Sequence, residues 1–175
     1  MRTAVIGAGG WGTTLALVLH EKGHDVTLWS RREDFARELR ERRENIRYLK
    51  GIQVPVSIEI THDTEWLYDR ELYVFALPSQ ATRAMATELS PKISHAGAVY
   101  VSASKGIEKG SLMRVTEIIA ESLGVDSAKT VALSGPSHAE EVARGVPTAV
   151  VAAGTDHDVA REVQNAFSLP HFRVY

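Results

Sequence analysis

The sequence has no cysteine, few prolines and no marked excess of charge of either sign. Without cysteine there can be no disulfide and no thiolate metal ligand, which fits a reducing compartment. The 20 basic and 22 acidic side chains leave a net charge of -2, so no general positive field is available for nucleic acid or an anionic membrane. No apolar run approaches the roughly 20 residues of a membrane span. We therefore expect a cytoplasmic protein with no nucleic-acid partner and no membrane partner.

Several catalytic signatures are also missing. There is no Gly-x-Ser-x-Gly elbow and no Walker-type Gly-Lys-Ser/Thr, which counts against an α/β-hydrolase and a P-loop enzyme. Most of the seven histidines are interpreted as surface or packing residues, and we expect no metal site. A content of 44% hydrophobic and 24% charged residues is typical of a folded globular chain. At 175 residues, the length predicts a single domain spanning residues 1–175.

The first thirty residues have the pattern of a βαβ unit with a glycine-rich first turn. The run Thr3–Ile6 predicts a strand, residues 13–22 have helical periodicity, and Asp25–Trp29 predicts a second strand. The turn between the first strand and the helix contains Gly7, Gly9 and Gly12. This Gly-x-Gly-x-x-Gly spacing is typical of a dinucleotide site, where the glycines permit a tight turn, a close approach to the pyrophosphate and close packing of helix on strand. The pyrophosphate would then lie on the N-H groups at the start of the helix.

Two arginines follow the second strand, where such a fold meets the adenine ribose. Arg31 and Arg32 can pair with a 2'-phosphate, whereas an NAD site usually has an acidic residue for the ribose hydroxyl. The pattern favours NADP(H). Because Glu33 and Asp34 come immediately afterwards, NAD(H) remains the alternative.

The remainder of the chain continues to alternate strands with helices. Strands are predicted at 54–60, 72–77, 98–102, 130–133, 148–153 and 172–175, and helices at 33–44, 79–89, 112–123, 156–167 and in a short segment ending at 143. Ser79 is expected to cap the helix at 79–89. The alternation predicts an α/β fold, a doubly wound and mostly parallel Rossmann-type sheet. We expect the loops that follow the strands to emerge together at one edge, beside the glycine turn.

Two of those loops have side chains suited to chemistry. Lys105 follows a strand and is flanked by small residues, so its ammonium could reach a phosphate or a carbonyl oxygen. The segment Ser134-Gly135-Pro136-Ser137 offers hydroxyls and backbone N-H groups at a helix start, which suits a small anion. The alternative interpretations are a solvated surface lysine and an ordinary capped turn. His138 is the one histidine inside a candidate site.

Several segments together resemble the bacterial NAD(P)-dependent glycerol-3-phosphate dehydrogenases, over essentially the whole chain. The segments that carry the resemblance are residues 7–16, 45–49, 78–80, 103–108 and 133–143. The resemblance implies reversible hydride transfer between NAD(P)H and dihydroxyacetone phosphate, a small-molecule phosphate substrate, giving sn-glycerol 3-phosphate for phospholipid synthesis. It also implies a homodimer for the full-length enzyme.

The resemblance further implies roles for individual residues. Besides the glycine turn, the residues it assigns to the cofactor are Gly10, Trp11, Arg31, Arg32, Tyr48, Lys105 and Ala139. For the substrate it implies Lys105, Gly135 and Ser137, with Lys105 also as a catalytic residue. Gly10 stands where the family often has Ser or Asn.

Family members continue into a helical domain that carries the principal catalytic lysine, which would lie beyond Tyr175. We therefore interpret the chain as the cofactor-binding half of such an enzyme and expect it to be inactive alone. Two alternatives remain open at this point. One is a stand-alone dinucleotide-binding module without catalysis. The other is a different two-domain dehydrogenase, acting on a hydroxyacid or a ketopantoate-like substrate.

Overall fold

The computed structural model describes residues 1–175, which form an eight-stranded sheet, a separate two-stranded hairpin and six helices. The strands are β1 (Arg2–Ile6), β2 (Asp25–Trp29), β3 (Glu44–Asn45), β4 (Leu49–Gln53), β5 (Glu59–Thr61), β6 (Leu72–Phe75), β7 (Val99–Ser102), β8 (Thr130–Ser134), β9 (Thr148–Gly154) and β10 (Phe172–Val174). The helices are α1 (Gly10–Glu21), α2 (Glu33–Arg42), α3 (Ser79–Ile93), α4 (Val115–Leu123), α5 (Ala139–Ala143) and α6 (His157–Phe167). None of the helices is both long enough and apolar enough to span a membrane.

The large sheet has the order β10-β9-β8-β7-β6-β1-β2-β5. From β5 to β8 all neighbouring strands are parallel, which confirms the doubly wound, mostly parallel fold. The pair β8–β9 is antiparallel, and β10 is parallel to β9. The last two strands therefore run against the rest of the sheet. The expectation that all loops after strands share one edge is wrong for β9, since the turn that follows it lies at the opposite edge.

The short helix α5 explains this reversal. A parallel return would require the connection after β8 to run back along the whole strand before β9 began. The five residues of α5 rise only about 7.5 Å, whereas the five residues of β8 span roughly 16 Å. Helix α5 alone therefore does not carry the chain back along β8, and the chain re-enters the sheet from the edge at which β8 ends.

Helices cover both faces of the sheet and divide the core into two clusters. Successive side chains of a strand point to opposite faces, so Val5 packs with α1, α2 and α6, while Ala4 and Ile6 pack with α3 and α4. All three residues are fully buried. Strands β1 and β6 thus have apolar residues on both faces, as expected for the centre of a parallel sheet.

The region after α2 differs most from the sequence prediction. Instead of a strand at 54–60, the structure has the β3–β4 hairpin, a turn and the short edge strand β5. Arg43 ends α2 in the left-handed conformation (φ 52°). Its guanidinium binds the carbonyls of Pro55 and Ile58 at 3.3 and 2.8 Å, so these carbonyls are not free for a strand ladder. Val54 and Ile58 are buried as the pattern required, but they belong to a turn.

Two helix boundaries also differ. Ser79 is the first residue of α3 and makes no capping bond, and the helix continues through Pro91 to Ile93. Helix α4 begins at Val115 and not at residue 112, because Leu112 has φ 60°. The segment before α4 folds into a loop of its own.

Candidate functional site

The candidate site lies where the chain changes direction across the sheet. Strands β1 and β6 are neighbours, but the chain continues from β1 toward β2 on one side and from β6 toward β7 on the other. In open α/β sheets this switch point, at the carboxyl ends of the strands, is where ligands bind. A cleft of about 290 Å³ occupies this position. It is lined by residues 9–12, 76–77, 103–105, 137 and 139, which brings the two predicted loops together beside the glycine turn.

The three spaced glycines have different reasons to lack a side chain. Gly7 has φ +111°, and a Cβ there would lie 2.6 Å from the Ala76 carbonyl oxygen. A Cβ on Gly12 would lie 1.8 Å from the Gly7 carbonyl oxygen, so α1 can approach β1 only with glycine here. Gly9 is different because its added Cβ meets nothing within 4 Å. A side chain on Gly9 would project into open space at the cleft, where a bound group could approach the backbone.

The start of α1 is suited to an anion. Its first intrahelical bond joins the Thr13 N-H to the Gly9 carbonyl at 2.9 Å, and no side chain caps the helix. The N-H groups of residues 10–12 have no intrahelical partner, and they lie at the positive end of the helix dipole.

The β3–β4 hairpin covers one side of the glycine turn. Asn45 is 1% exposed, and its amide donates to the Ala8 carbonyl at 3.0 Å and to the Thr13 hydroxyl at 2.8 Å. The hairpin comes so close that a Cβ on Gly10 would lie 2.6 Å from the Tyr48 carbonyl oxygen. Sequence reasoning assigned no role to Asn45. The sequence signal for such a role was the position of this polar residue in the segment 45–49, which is one of those that carry the family resemblance.

Trp11 both lines the cleft and packs into the core. Its ring lies 6.3 Å from that of Phe172 on β10, and its indole nitrogen is buried without a hydrogen-bond partner. Its side chain thus connects α1 to the strand at the far end of the sheet. A contact between Trp11 and the cofactor phosphates stays a prediction.

The two predicted adenosine-end arginines are exposed, and each already has a carboxylate partner. Arg31 lies 3.3 Å from Glu88 on α3, and Arg32 lies 2.7 Å from Asp34. The Arg32 guanidinium holds the pKa of Asp34 below its usual value, chiefly by hydrogen bonding. Tyr48 is 52% exposed, with its ring edge-on to Phe35 at 5.6 Å. These three residues lie outside the lining of the 290 Å³ cleft.

The predicted substrate residues lie close to one another. The Lys105 ammonium donates to the Gly135 carbonyl at 3.2 Å, and the Ser137 hydroxyl donates to the same carbonyl at 3.4 Å. Ala139 begins α5, and its carbonyl accepts from the Thr14 hydroxyl of α1 at 3.1 Å. That bond fixes the start of α5 against the helix of the glycine turn. His138 precedes α5, is exposed and does not line the cleft.

A wider depression of about 760 Å³ adjoins the cleft. Ser104 and Lys105 line both cavities, and the wider one also has the hydroxyls of Thr116, Thr130 and Ser134. Helices α5 and α6 pack on the other face, whereas on this side α4 contacts β7 and β8 and its first residues, 115–117, line the depression. Lys105 therefore stands between the two cavities.

One pair of histidines has a metal-like spacing in the sequence. His20-Glu21-Lys22-Gly23-His24 has the His-Glu-x-x-His pattern that binds zinc when both histidines share a helix face. Helix α1 ends at Glu21 and Gly23 has φ +91°, so His24 is outside the helix. His24 contacts the Ala166 carbonyl at 3.0 Å, and no cluster of three or more His, Cys, Asp or Glu residues suited to a metal is present.

Comparison with known proteins gives a consistent set of relatives. A family model described as NAD-dependent glycerol-3-phosphate dehydrogenase N-terminus matches residues 2–160. A Chlorobium luteolum protein named glycerol-3-phosphate dehydrogenase, NAD(P)+, is 48% identical over 177 residues, which cover 100% of this chain and 53% of that protein. A Corynebacterium glutamicum protein of the same name is 45% identical over 173 residues, covering 98% of this chain and 52% of its own length. The chain thus spans about half the length of the curated relatives that it matches.

Solved structures of similar proteins have the same fold. The crystal structure of glycerol-3-phosphate dehydrogenase from Coxiella burnetii has a TM-score of 0.90 at 35% identity, covering 99% of this chain and 53% of that one. A ketopantoate reductase from Ralstonia eutropha has a TM-score of 0.70 at 18% identity, covering 100% of this chain and 56% of that one. The second likeness concerns the fold alone.

Proposed function

Because the chain belongs to the family of NAD-dependent glycerol-3-phosphate dehydrogenases and matches its N-terminal part, we propose that residues 1–175 form the dinucleotide-binding half of such an enzyme. The complete enzyme would transfer a hydride between NAD(P)H and dihydroxyacetone phosphate. The observation that carries the proposal is the cleft at the switch point, where the glycine turn, Lys105 and Ser137 meet.

The geometry supports a pyrophosphate on the glycine turn. Gly9 has no neighbour in the direction of its missing side chain, so the backbone there can be approached closely. The N-H groups of residues 10–12 then provide hydrogen bonds, strengthened by the dipole of α1. Gly7 and Gly12 serve the turn itself, since a Cβ on either would contact backbone atoms.

The adenosine end would lie toward the end of β2. There Arg31 and Arg32 would meet a 2'-phosphate, and Tyr48 on the hairpin would lie on the adenine side. For this to happen the 2'-phosphate has to compete with Glu88 and Asp34 for the two guanidinium groups. We therefore propose a modest preference for NADP(H), with NAD(H) also accepted.

The reacting end would lie between the loops after β7 and β8. The bound nicotinamide supplies the hydride, and Ala139 would lie beside its ring. Lys105, which has its ammonium 3.2 Å from the Gly135 carbonyl, would donate to the substrate oxygen on which negative charge develops. Ser137 and the backbone at Gly135 would hold the substrate phosphate.

Lys105 and Ser137 form only one wall of a substrate site. The 760 Å³ depression beside Lys105 is only partly enclosed by these residues, so a substrate placed there would remain in contact with water. We propose that the half of the relatives' length with no counterpart in these 175 residues supplies the facing wall. It would also contribute the remaining catalytic groups.

Cofactor titration tests the proposal. Trp11 lines the cleft, so NADPH or NADH bound there should quench its fluorescence and accept energy from it. We expect both dinucleotides to quench the tryptophan fluorescence of the parent in a saturable way. In a Trp11→Phe variant the fluorescence change should be smaller, while calorimetry should still detect dinucleotide binding. Adenosine alone should bind much more weakly because it lacks the pyrophosphate. If calorimetry finds no binding of either dinucleotide to the folded chain, the proposed function is wrong.

A further inference from the structure

The loop that carries Lys105 is compact but is attached to the sheet only at its ends. Residues 105–114, here called the Lys105 loop, connect β7 to α4. Inside the loop the Glu108 N-H donates to the Met113 carbonyl at 3.0 Å, and the Leu112 N-H donates to the Glu108 carbonyl at 3.0 Å. Ile107 and Arg114 form an isolated antiparallel bridge. Gly106 has φ +91°, which places a flexible residue directly after Lys105.

Helix α3 holds this loop from the side. The Gln80 amide donates to the Ile107 carbonyl at 2.9 Å, and its oxygen accepts from the Lys109 N-H at 3.0 Å. One turn further along the helix, Arg83 faces Glu108. Its Nε lies 3.0 and 3.1 Å from the two carboxylate oxygens, and its Nη2 lies 3.0 Å from one of them.

Of the two carboxylates that pair with Arg83, those of Glu108 and Glu121, the Glu108 carboxylate is the less exposed to solvent. Its side chain is 14% exposed, compared with 35% for Arg83. The Ser111 hydroxyl also donates to it, at 2.5 Å. The Arg83 guanidinium, followed by this hydroxyl, holds the pKa of Glu108 below its usual range. The carboxylate therefore stays charged and accepts hydrogen bonds both from α3 and from its own loop.

We propose that Arg83 and Glu108 are positioning residues that set the location of Lys105 over the cofactor cleft. This inference rests on the proposed function of Lys105. Only two residues separate Lys105 from Glu108, so a shift of the loop moves the ammonium relative to the Gly135 carbonyl. Helix α3 starts at Ser79, two residues after Leu77 of the cleft lining, so the helix that follows the cleft wall also holds the loop.

Glu121 provides a matched control. It lies on α4, is 59% exposed and binds the same Arg83 at 2.8 Å, but it is not part of the Lys105 loop. Glu121→Gln removes one carboxylate from Arg83 just as Glu108→Gln does. A general effect of weakening the Arg83 pairs should appear in both variants, whereas an effect on the loop should appear only for Glu108→Gln.

Amide hydrogen exchange of the folded chain tests the first step. In Glu108→Gln we expect the N-H groups of residues 108 and 112 to exchange roughly tenfold faster, because the loop opens locally more often. Rates in the β-sheet and in Glu121→Gln should stay as in the parent. Unchanged exchange in the loop of Glu108→Gln would overturn the proposal, as would equal acceleration in both variants.

A double-mutant cycle on NADPH affinity tests the link to Lys105. If Glu108 acts through Lys105, Glu108→Gln should weaken NADPH binding roughly three- to tenfold in the parent and by little in the Lys105→Ala background. A merely structural role would give the same penalty in both backgrounds, and that result would refute the positioning role. If the parent chain binds no dinucleotide, the proposed function fails separately, and hydrogen exchange still decides whether Glu108 holds the loop.

Discussion

Replacing Gly9 by valine should strongly weaken cofactor binding while leaving the chain folded. Gly9 precedes α1 with φ -70° and ψ -177°, an extended conformation that valine adopts readily. Its added Cβ meets no atom within 4 Å, so the side chain would project into the cleft. The N-cap preference of glycine over valine limits the cost in stability to about 1 kcal/mol. For a chain of this size that corresponds to a fall of about 2–4 °C in Tm.

The expected loss of affinity is much larger. A hydrogen bond to a charged group contributes about 1.5–3 kcal/mol, and the isopropyl group should displace the pyrophosphate from at least two N-H groups at the helix start. The dinucleotide should therefore lose about 3–6 kcal/mol, or roughly 10²–10⁴ in Kd. Calorimetric titration with NADPH, together with thermal unfolding of the same sample, measures both quantities.

Two further glycine variants serve as controls for this experiment. Gly97 is exposed and precedes β7, at the edge away from the cleft, and a Cβ there makes only an ordinary contact of 3.7 Å with His95. Gly97→Val should keep the parent affinity. Gly12→Ala should instead unfold the chain more easily, because its Cβ would lie 1.8 Å from a backbone oxygen. Equal NADPH affinity in the parent and in a folded Gly9→Val variant would refute the assignment of the cleft.

Three other predictions concern cofactor choice, turnover and pH. Arg31→Ala should reduce the preference for NADPH over NADH by about 1 kcal/mol, because Glu88 already neutralises much of the exposed Arg31 charge. Titrations of parent and variant with both dinucleotides, at low and at high salt, measure this preference. The chain alone should not oxidise NADPH in the presence of dihydroxyacetone phosphate. A fusion of the chain to the second half of the Chlorobium luteolum relative should oxidise it, and NADPH absorbance follows both reactions. Two N-H groups of α6 donate to the Asp156 carboxylate and hold its pKa below the ordinary value of 3.8. The charged carboxylate therefore stabilises the fold above about pH 3.8, and this stabilisation is lost as the pH falls through the folded-state pKa. Asp156→Asn keeps an acceptor without titrating, so its Tm should fall less steeply than the parent's below pH 4.

The parts of the fold that sequence predicts well depend on local patterns. The first βαβ unit was predicted nearly to its boundaries, because two apolar runs, a helical period and three spaced glycines all lie within thirty residues. The switch point then follows from the alternation of strands and helices. The candidate loops after β7 and β8 meet there because both strands are parallel to β1.

The features that sequence missed depend on partners far along the chain. Asn45 makes its buried bonds to Ala8 and Thr13, more than 30 residues earlier, so nothing in its neighbourhood predicts the β3–β4 hairpin. Arg31 meets Glu88 on a helix beyond β6, so the residues around Arg31 alone do not reveal this partner. Strand β9 shows the same limit, because its composition does not encode its direction. That direction follows from the length of α5 and from the edge at which the chain re-enters the sheet.

The reversal of β9 also bears on the role of Gly135. A Cβ on Gly135 would lie 2.9 Å from the Ala149 carbonyl oxygen and 2.9 Å from the Val150 Cα, because the turn after β8 passes directly over the incoming strand. Glycine is therefore required here by packing, whether or not its backbone also binds a phosphate. Ser137 has no such constraint, since its hydroxyl makes only a 3.4 Å bond within the turn. A loss of substrate affinity in a Gly135 variant would thus reflect the contact with β9, whereas Ser137→Ala leaves that contact intact and reports on the substrate itself.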